Sequence, residues 1–236
     1  VNIVYTVEAV RAARRDYACL GLVPTMGFLH AGHMSLVARA KAECGAVAVS
    51  IFVNPTQFAP SEDLDRYPRD VPRDLALLEE AGVDLVFLPE AREIYPDGFQ
   101  TSIDVGNLAR VLEGASRPHH FAGVATVVSK LFNIFQPDCA YFGQKDGQQC
   151  AVIRHIVRDL NIPVDIRIGA TIREADGLAM SSRNVYLTPA QREAAPALYR
   201  ALLQAKHLFE GGERSAALLR EGMQTVILAE PDIEIE

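Results

Sequence analysis

Pro24-Thr25-Met26-Gly27-Phe28-Leu29-His30-Ala31-Gly32-His33 is the stretch on which the fold turns. An apolar run, Ala18 to Val23, leads into it, and Met34 to Cys44 leaves it with apolar residues at helical spacing. The order is therefore strand, tight turn and helix N-terminus, with imidazoles at the helix start. A helix start presents unpaired backbone N–H groups and the positive end of its dipole, which suits a phosphate. Glycine allows close approach of a ligand to the backbone, and histidine can donate to phosphate oxygens. Taken in isolation, H-x-G-H is equally well a turn with two solvated histidines.

Outward from this turn the pattern repeats. Ala18–Val23, Ala46–Val53, Asp84–Leu88, Asp138–Phe142 and Val164–Ala170 read as strands. Met34–Cys44, Asp70–Ala81, Phe121–Phe135 and Gly147–Leu160 read as helices between them. Strands rich in Val, Ile, Leu and Ala without strict alternation belong in a parallel sheet covered on both faces. The rhythm predicts a doubly wound, Rossmann-like α/β domain over residues 1–171, with ligands at the carboxyl ends of its strands. Residues 172–236 change character. Pro189–Gly211, with Thr188 as N-cap, and Arg214–Leu228 read as helices. Pro231–Glu236 alternates like a strand with no partner behind it, as expected of a smaller second domain cut short.

In 236 residues, 49% are hydrophobic and 22% charged, enough apolar material for a sizeable core. A net charge of −7 argues against a broad nucleic-acid surface. No apolar run approaches the ~20 residues that cross a bilayer, and no N-terminal signal is visible, so a cytoplasmic location is expected. Cys19, Cys44, Cys139 and Cys150 are widely spaced, form no C-x-x-C pair and read as buried reduced thiols.

Four further segments carry groups suited to chemistry. Asn54-Pro55-Thr56-Gln57-Phe58 follows an apolar strand and offers amides that can fix a polar substrate. Behind it, Ser61–Asp74 alternates acids and arginines like a solvated loop, or a lid. Glu113-Gly-Ala-Ser-Arg117-Pro-His-His120 precedes a helix and could favour an anion. Gly143-Gln144-Lys145-Asp146-Gly147-Gln148-Gln149 sits between strand and helix. Lys145 there can reach phosphate oxygens, and Asp146 can accept from a ribose or hold Mg²⁺. Met180-Ser181-Ser182-Arg183 can wrap a polyphosphate and neutralise charge on a leaving group. Singly, these are a turn, a helix entry, a surface ion pair and a Ser-rich loop. Their joint order is much harder to obtain by chance.

The early H-x-G-H and late M-S-S-R resemble the two signature motifs of the HIGH nucleotidyltransferase superfamily. Within it, PTMGFLHAGH, FVNPTQF, HFAGV, YFGQKDGQQ and ADGLAMSSRN together resemble the pantothenate synthetase (pantoate–β-alanine ligase) family, from Gly21 through Leu187. The resemblance implies that ATP activates pantoate as pantoyl-adenylate, releasing pyrophosphate, and that β-alanine then displaces AMP. It implies an ATP-binding turn over Met26, Gly27, Phe28, Leu29, His30, Ala31, Gly32 and His33, with His33 as proton donor. It further implies nucleotide contacts from Gly143, Gln144, Lys145, Asp146 and Ile172, and closure of Met180, Ser181, Ser182 and Arg183 over the triphosphate. His30, Lys145 and Arg183 join His33 as the catalytic set. Gln57 and Gln149 would hold pantoate, Gln57 would border β-alanine, and Asn54, Arg117 and His120 would form a further wall. Mg²⁺ is expected with ATP, ligated by phosphate oxygens and water rather than side chains. A homodimer, and a lid role for residues 172–236, are implied as well. Two positions depart from the family: Gln144, where Glu is common, and Gly147, where an aromatic is common. The alternatives are another nucleotidyltransferase of the superfamily and a non-catalytic nucleotide-binding protein.

Overall fold

The computed structural model describes residues 1–231 and 233–235. By internal packing the chain divides into two compact units, Val1–Ala170 and Thr171–Glu236.

The first unit is built on a six-stranded, wholly parallel sheet: β1 (Asn2–Val4), β2 (Leu20–Thr25), β3 (Ala46–Ile51), β4 (Leu85–Phe87), β5 (Cys139–Gly143) and β6 (Asp165–Gly169), in the order β1-β4-β3-β2-β5-β6. The helices of this unit are α1 (Val7–Arg14), α2 (Ala31–Cys44), α3 (Val71–Glu80), α4 (Ala91–Ile94), α5 (Glu113–Ser116), α6 (His120–Phe135) and α7 (Gly147–Asp159). Progression β2→β3→β4 runs one way across the sheet, while β1→β2 and β5→β6 run the other. Right-handed crossovers must then place α2 and α3 on one face and α1, α6 and α7 on the opposite one. The core follows that division. Val23, Val37, Ala40, Val49, Leu78, Val86 and Tyr141 pack on the first face. Val10, Leu20, Leu22, Phe87, Val128, Phe135 and Ile153 pack on the second. Each fully buried Val, Leu, Ile or Phe among them contributes about 1.5–3 kcal/mol.

The expected strand Ala18–Val23 is displaced towards the turn, and its extension includes a proline. Leu20 O accepts from Asp138 N–H on the β5 side and Thr25 O accepts from Phe52 N–H on the β3 side. By alternation Pro24 faces β5, where its missing N–H matters only if a ladder continues. It does not: β2 stays paired with β3 to Thr25↔Ile51, but its ladder with β5 consists of Gly21↔Cys139 and Leu22↔Ala140. Beyond Leu22 the two strands part. This is also the topological switch point, where a doubly wound sheet opens its ligand crevice.

In the second unit, the expected helix Pro189–Gly211 is broken into α8 (Pro189–Ala194) and α9 (Ala197–Glu210) because Pro196 cannot continue it. A hairpin-like α10 (Ala216–Leu228) packs on α9, with Ser215 as its N-cap. Residues 233–235 form no strand, contrary to the alternation there, and Asp232 and Glu236 lie outside the described residues. The cysteines are free. Cys150 is buried as expected, but Cys19, Cys44 and Cys139 are only partly so. Among the described residues, no helix is long and apolar enough to cross a membrane.

Candidate active site

The H-x-G-H turn is folded by three devices. Thr25 Oγ1 donates to Ser50 O (2.8 Å) and accepts from Gly27 N–H (3.2 Å), ending β2. Gly27 then takes φ +83°, and a Cβ there would meet Ile51 Cγ2 at 2.9 Å, so glycine is obligatory. Asp74, on α3 and only 1% exposed, accepts from Phe28 N–H and Leu29 N–H, each at 2.7 Å. Those bonds hold Phe28 in the left-handed region at φ +49°. The Arg73 guanidinium lies 5.3 Å from the Phe28 ring centroid. Leu29 itself is a core residue.

His30 and His33 then cap α2 reciprocally. Nδ1 of His30 accepts from Gly32 N–H (3.1 Å), and Nδ1 of His33 accepts from His30 N–H (3.3 Å). The ring centroids are 4.0 Å apart. Gly32 is needed for this closeness, because a Cβ would lie 2.8 Å from the His30 ring. Both Nδ1 atoms act as acceptors, so the neutral rings carry their protons on Nε2, as donors. Burial, with the nearby charges of His30 and Lys145, depresses His33 to about 3. Burial likewise lowers His30, with Lys145 and Arg73 adding to it. At neutral pH both rings are uncharged hydrogen-bond donors.

Lys145, beyond the end of β5, thus lies close enough to act electrostatically on both histidines. Its ammonium pairs with Asp146 at 3.1 Å on an exposed surface. Asp146 precedes α7 without a side-chain cap bond, and a Cβ at Gly143 would meet nothing within 4 Å. Gln149, in the first turn of α7, is half-buried.

After β3, Asn54 starts a short 3-10 turn, Pro55–Gln57. Asn54 is buried and its donors go to Gln57 Oε1 (3.1 Å) and Gly123 O (3.3 Å), so it acts on Gln57 rather than as a free wall. Gln57 Nε2 donates to the sulfur of Met26 at 3.3 Å, joining this turn to the H-x-G-H turn. His120 Nδ1–H donates to Gln57 O at 3.0 Å, and burial lowers its pKa. It too holds Gln57. Arg117 is not left to receive an anion. It forms a two-point pair with Glu62 (2.9 and 2.5 Å) and a bond to Glu113 (2.7 Å), and the Arg117 contact holds the Glu62 carboxyl below its usual range. Gln148 is likewise structural, donating to Leu108 O and Val111 O.

The second unit presents its motif on a small hairpin. Arg173 and Ala179 bridge antiparallel, and Met180 N–H donates to Ile172 O at 3.0 Å. Gly177, at φ +94°, makes the turn and lets Tyr199 pack against it. Ser181 Oγ then accepts from Arg183 N–H (3.3 Å), capping the 3-10 segment Ser182–Tyr186, with Ser182 buried.

Asp74, Tyr95 and Thr56 are the residues that sequence reasoning left without a role. An acid on the apolar stripe Asp74-Leu75-Leu78 was the available signal for the first. Tyr95 reaches Asn54 from across the fold, and no local pattern marks it.

The Pantoate-beta-alanine ligase family matches residues 2–236. The chain is 62% identical over 231 residues to the pantothenate synthetase of Chloroflexus aggregans, covering 98% of this chain and 83% of that protein. A crystal structure of pantothenate synthetase from Thermus thermophilus superposes with a TM-score of 0.95 at 52% identity, covering 98% and 84%. One of pantoate-beta-alanine ligase from Francisella tularensis, complexed with beta-gamma ATP and beta-alanine, gives 0.85 at 38% identity, covering 96% and 86%. With its parallel sheet, its switch-point turn and this near-complete match, the chain belongs to the pantoate–β-alanine ligase family.

Proposed function

We propose that this protein joins pantoate to β-alanine at the expense of ATP, through a pantoyl-adenylate. The observation that carries the reading is the reciprocal His30–His33 cap at the β2/β5 switch point, in a chain matched by the family over residues 2–236. A pantoate carboxylate oxygen attacks the α-phosphorus and the bond to pyrophosphate breaks. The β-alanine amine then attacks the acyl carbon and AMP leaves. The acid is activated by ATP, so the protein needs no nucleophile of its own; alignment and charge stabilisation are its contribution.

In this reading the neutral Nε2–H groups of His30 and His33 donate to phosphate oxygens, and Lys145 supplies a compact positive charge beside them. Burial holds the His33 ring uncharged in the free protein, so it meets an incoming phosphate as an Nε2–H donor. Met26 to Gly32 and Gly143 to Asp146 are assigned to the nucleotide. Gln57 and Gln149 are assigned to pantoate, with β-alanine beside Gln57. Residues 172–236, read as a lid domain, are assigned adenine contact through Ile172 and phosphate contact through Met180, Ser181, Ser182 and Arg183 by the family resemblance. Among the described residues no three His, Cys, Asp or Glu side chains gather to hold a metal ion. Mg²⁺ accompanying ATP is assigned, as a hard cation carried by the triphosphate, to phosphate oxygens and water. A homodimer in the cytoplasm completes the reading, and light scattering tests the dimer.

The decisive assay supplies ATP, Mg²⁺ and pantoate, with and without β-alanine, and follows pyrophosphate and AMP. Stoichiometric pyrophosphate without the amine, and catalytic AMP only with it, is the expected result. AMP formation indifferent to pantoate would overturn the reading. His33→Ala or Lys145→Ala is expected to slow adenylation by about 10²-fold or more, as for other lost transition-state donors.

A further inference from the structure

Tyr95 follows α4 and belongs to none of the site's motifs. Its hydroxyl nevertheless donates to Asn54 Oδ1 at 2.8 Å and lies 3.2 Å from Thr56 Oγ1. The same Asn54 oxygen accepts from Thr56 Oγ1 (2.9 Å) and from Thr56 N–H (3.4 Å). Donors gathered on one side of a carboxamide require oxygen on that side, so Nδ2 is turned to the other. There it donates to Gln57 Oε1. The constraint passes on: with Oε1 turned to Asn54 Nδ2, the Gln57 NH₂ group points the other way, where its partner is the weak acceptor sulfur of Met26.

We infer that Tyr95 is a positioning residue, whose hydroxyl acts through Asn54 to decide which end of the Gln57 carboxamide meets the acid substrate. The inference rests on the assignment of Gln57 to pantoate. The Tyr95 ring is held for this task by Phe99, edge-on at a centroid distance of 5.0 Å, and by Phe52 at 6.2 Å. The Lys130 ammonium lies 4.5 Å from the Phe99 centroid and 5.8 Å from that of Tyr95. Burial raises the phenol pKa, so the hydroxyl remains a donor throughout the neutral range.

Tyr95→Phe in the full chain removes the hydroxyl and keeps the ring. Pyrophosphate release at varied pantoate is expected to show a KM for pantoate about 3- to 10-fold higher, the range of one lost hydrogen bond. The KM for ATP is expected to stay put. In a Gln57→Ala background the same substitution should add nothing, whereas a general loosening of the fold would raise KM in both backgrounds. Thr56→Val, which strips a second hydroxyl from the same oxygen, should raise the pantoate KM as well. An equal rise in both backgrounds, or a pantoate KM unmoved by Tyr95→Phe, overturns the inference alone. A pantoate KM unmoved by Gln57→Ala overturns the assignment beneath it and the inference together.

Discussion

Asp74 occupies a position where an amphipathic helix ordinarily places a leucine, and the two backbone amides it accepts explain why an acid is there. Burial pushes its carboxyl above the usual range, while Leu29 N–H and Phe28 N–H pull it back. Both oxygens are in use, so no neutral isostere can replace it. Asp74→Asn offers one acceptor where two are needed and leaves a buried N–H unpaired. A loss of about 1–3 kcal/mol in urea unfolding is expected, with slower ATP–pyrophosphate exchange because Phe28 is released from its left-handed conformation. Unchanged stability and exchange would show that the turn holds itself. His30, His33, Gln57 and Lys145 stood out by type and order; in the first unit the two histidines bond to each other, Gln57 bonds separately to Met26 of the same turn, and Lys145 lies within electrostatic reach of the histidines. Arg117 stood out too, but its charge is answered by Glu62 from a segment that reads as a solvated loop. Type signals a candidate, whereas the partner that occupies it comes from the fold.

At the scale of elements, α6 is placed by the absence of a side chain. A Cβ at Gly123 would lie 2.5 Å from Thr56 O and 2.7 Å from Gln57 N and Cα, so the helix rests directly on the turn that carries Gln57. Gly123→Ala must separate the two. It is expected to cost about 1–3 kcal/mol, as overpacking does, and to impair pantoate use more than ATP use, since the H-x-G-H turn lies on the other face's helix. Calorimetry with separate KM values checks both parts, and equal KM changes would deny a specific role for this contact. Helices with long apolar periodicity were readable, as were β3 and β6. The short edge strand β1 and helix α1 were not, because three strand residues carry little pattern. Pro24 ended the predicted strand too early, since a local rule cannot know that the neighbouring ladder has already stopped.

For the whole molecule, the βαβ rhythm conveyed a parallel sheet with ligands at its carboxyl ends, but not that β5 returns beside β2. That return brings the loop of Lys145 to the histidines, and the resulting confinement sets how stability responds to acid. Burial, the leading cause in each case, depresses the pKa of His30, His33 and His120. Below the ordinary imidazole value of about 6.5, the unfolded chain therefore binds protons that the folded one refuses. Their contribution is complete above that pH and declines as pH falls, by up to about 1.4 kcal/mol per pH unit for each ring that stays neutral. The lowered carboxyls Glu43, Glu62 and Asp176 contribute their losses at more acidic pH than this, so they do not produce a fall between pH 7 and 5. Asp74, raised by burial, works with the opposite sign. Urea midpoints should consequently fall from pH 7 to pH 5 and fall less in His33→Gln, whose amide oxygen can still accept from His30 N–H without titrating. The same slope in the variant would mean that His33 protonates freely in the folded protein and cannot serve as the neutral donor assigned to it.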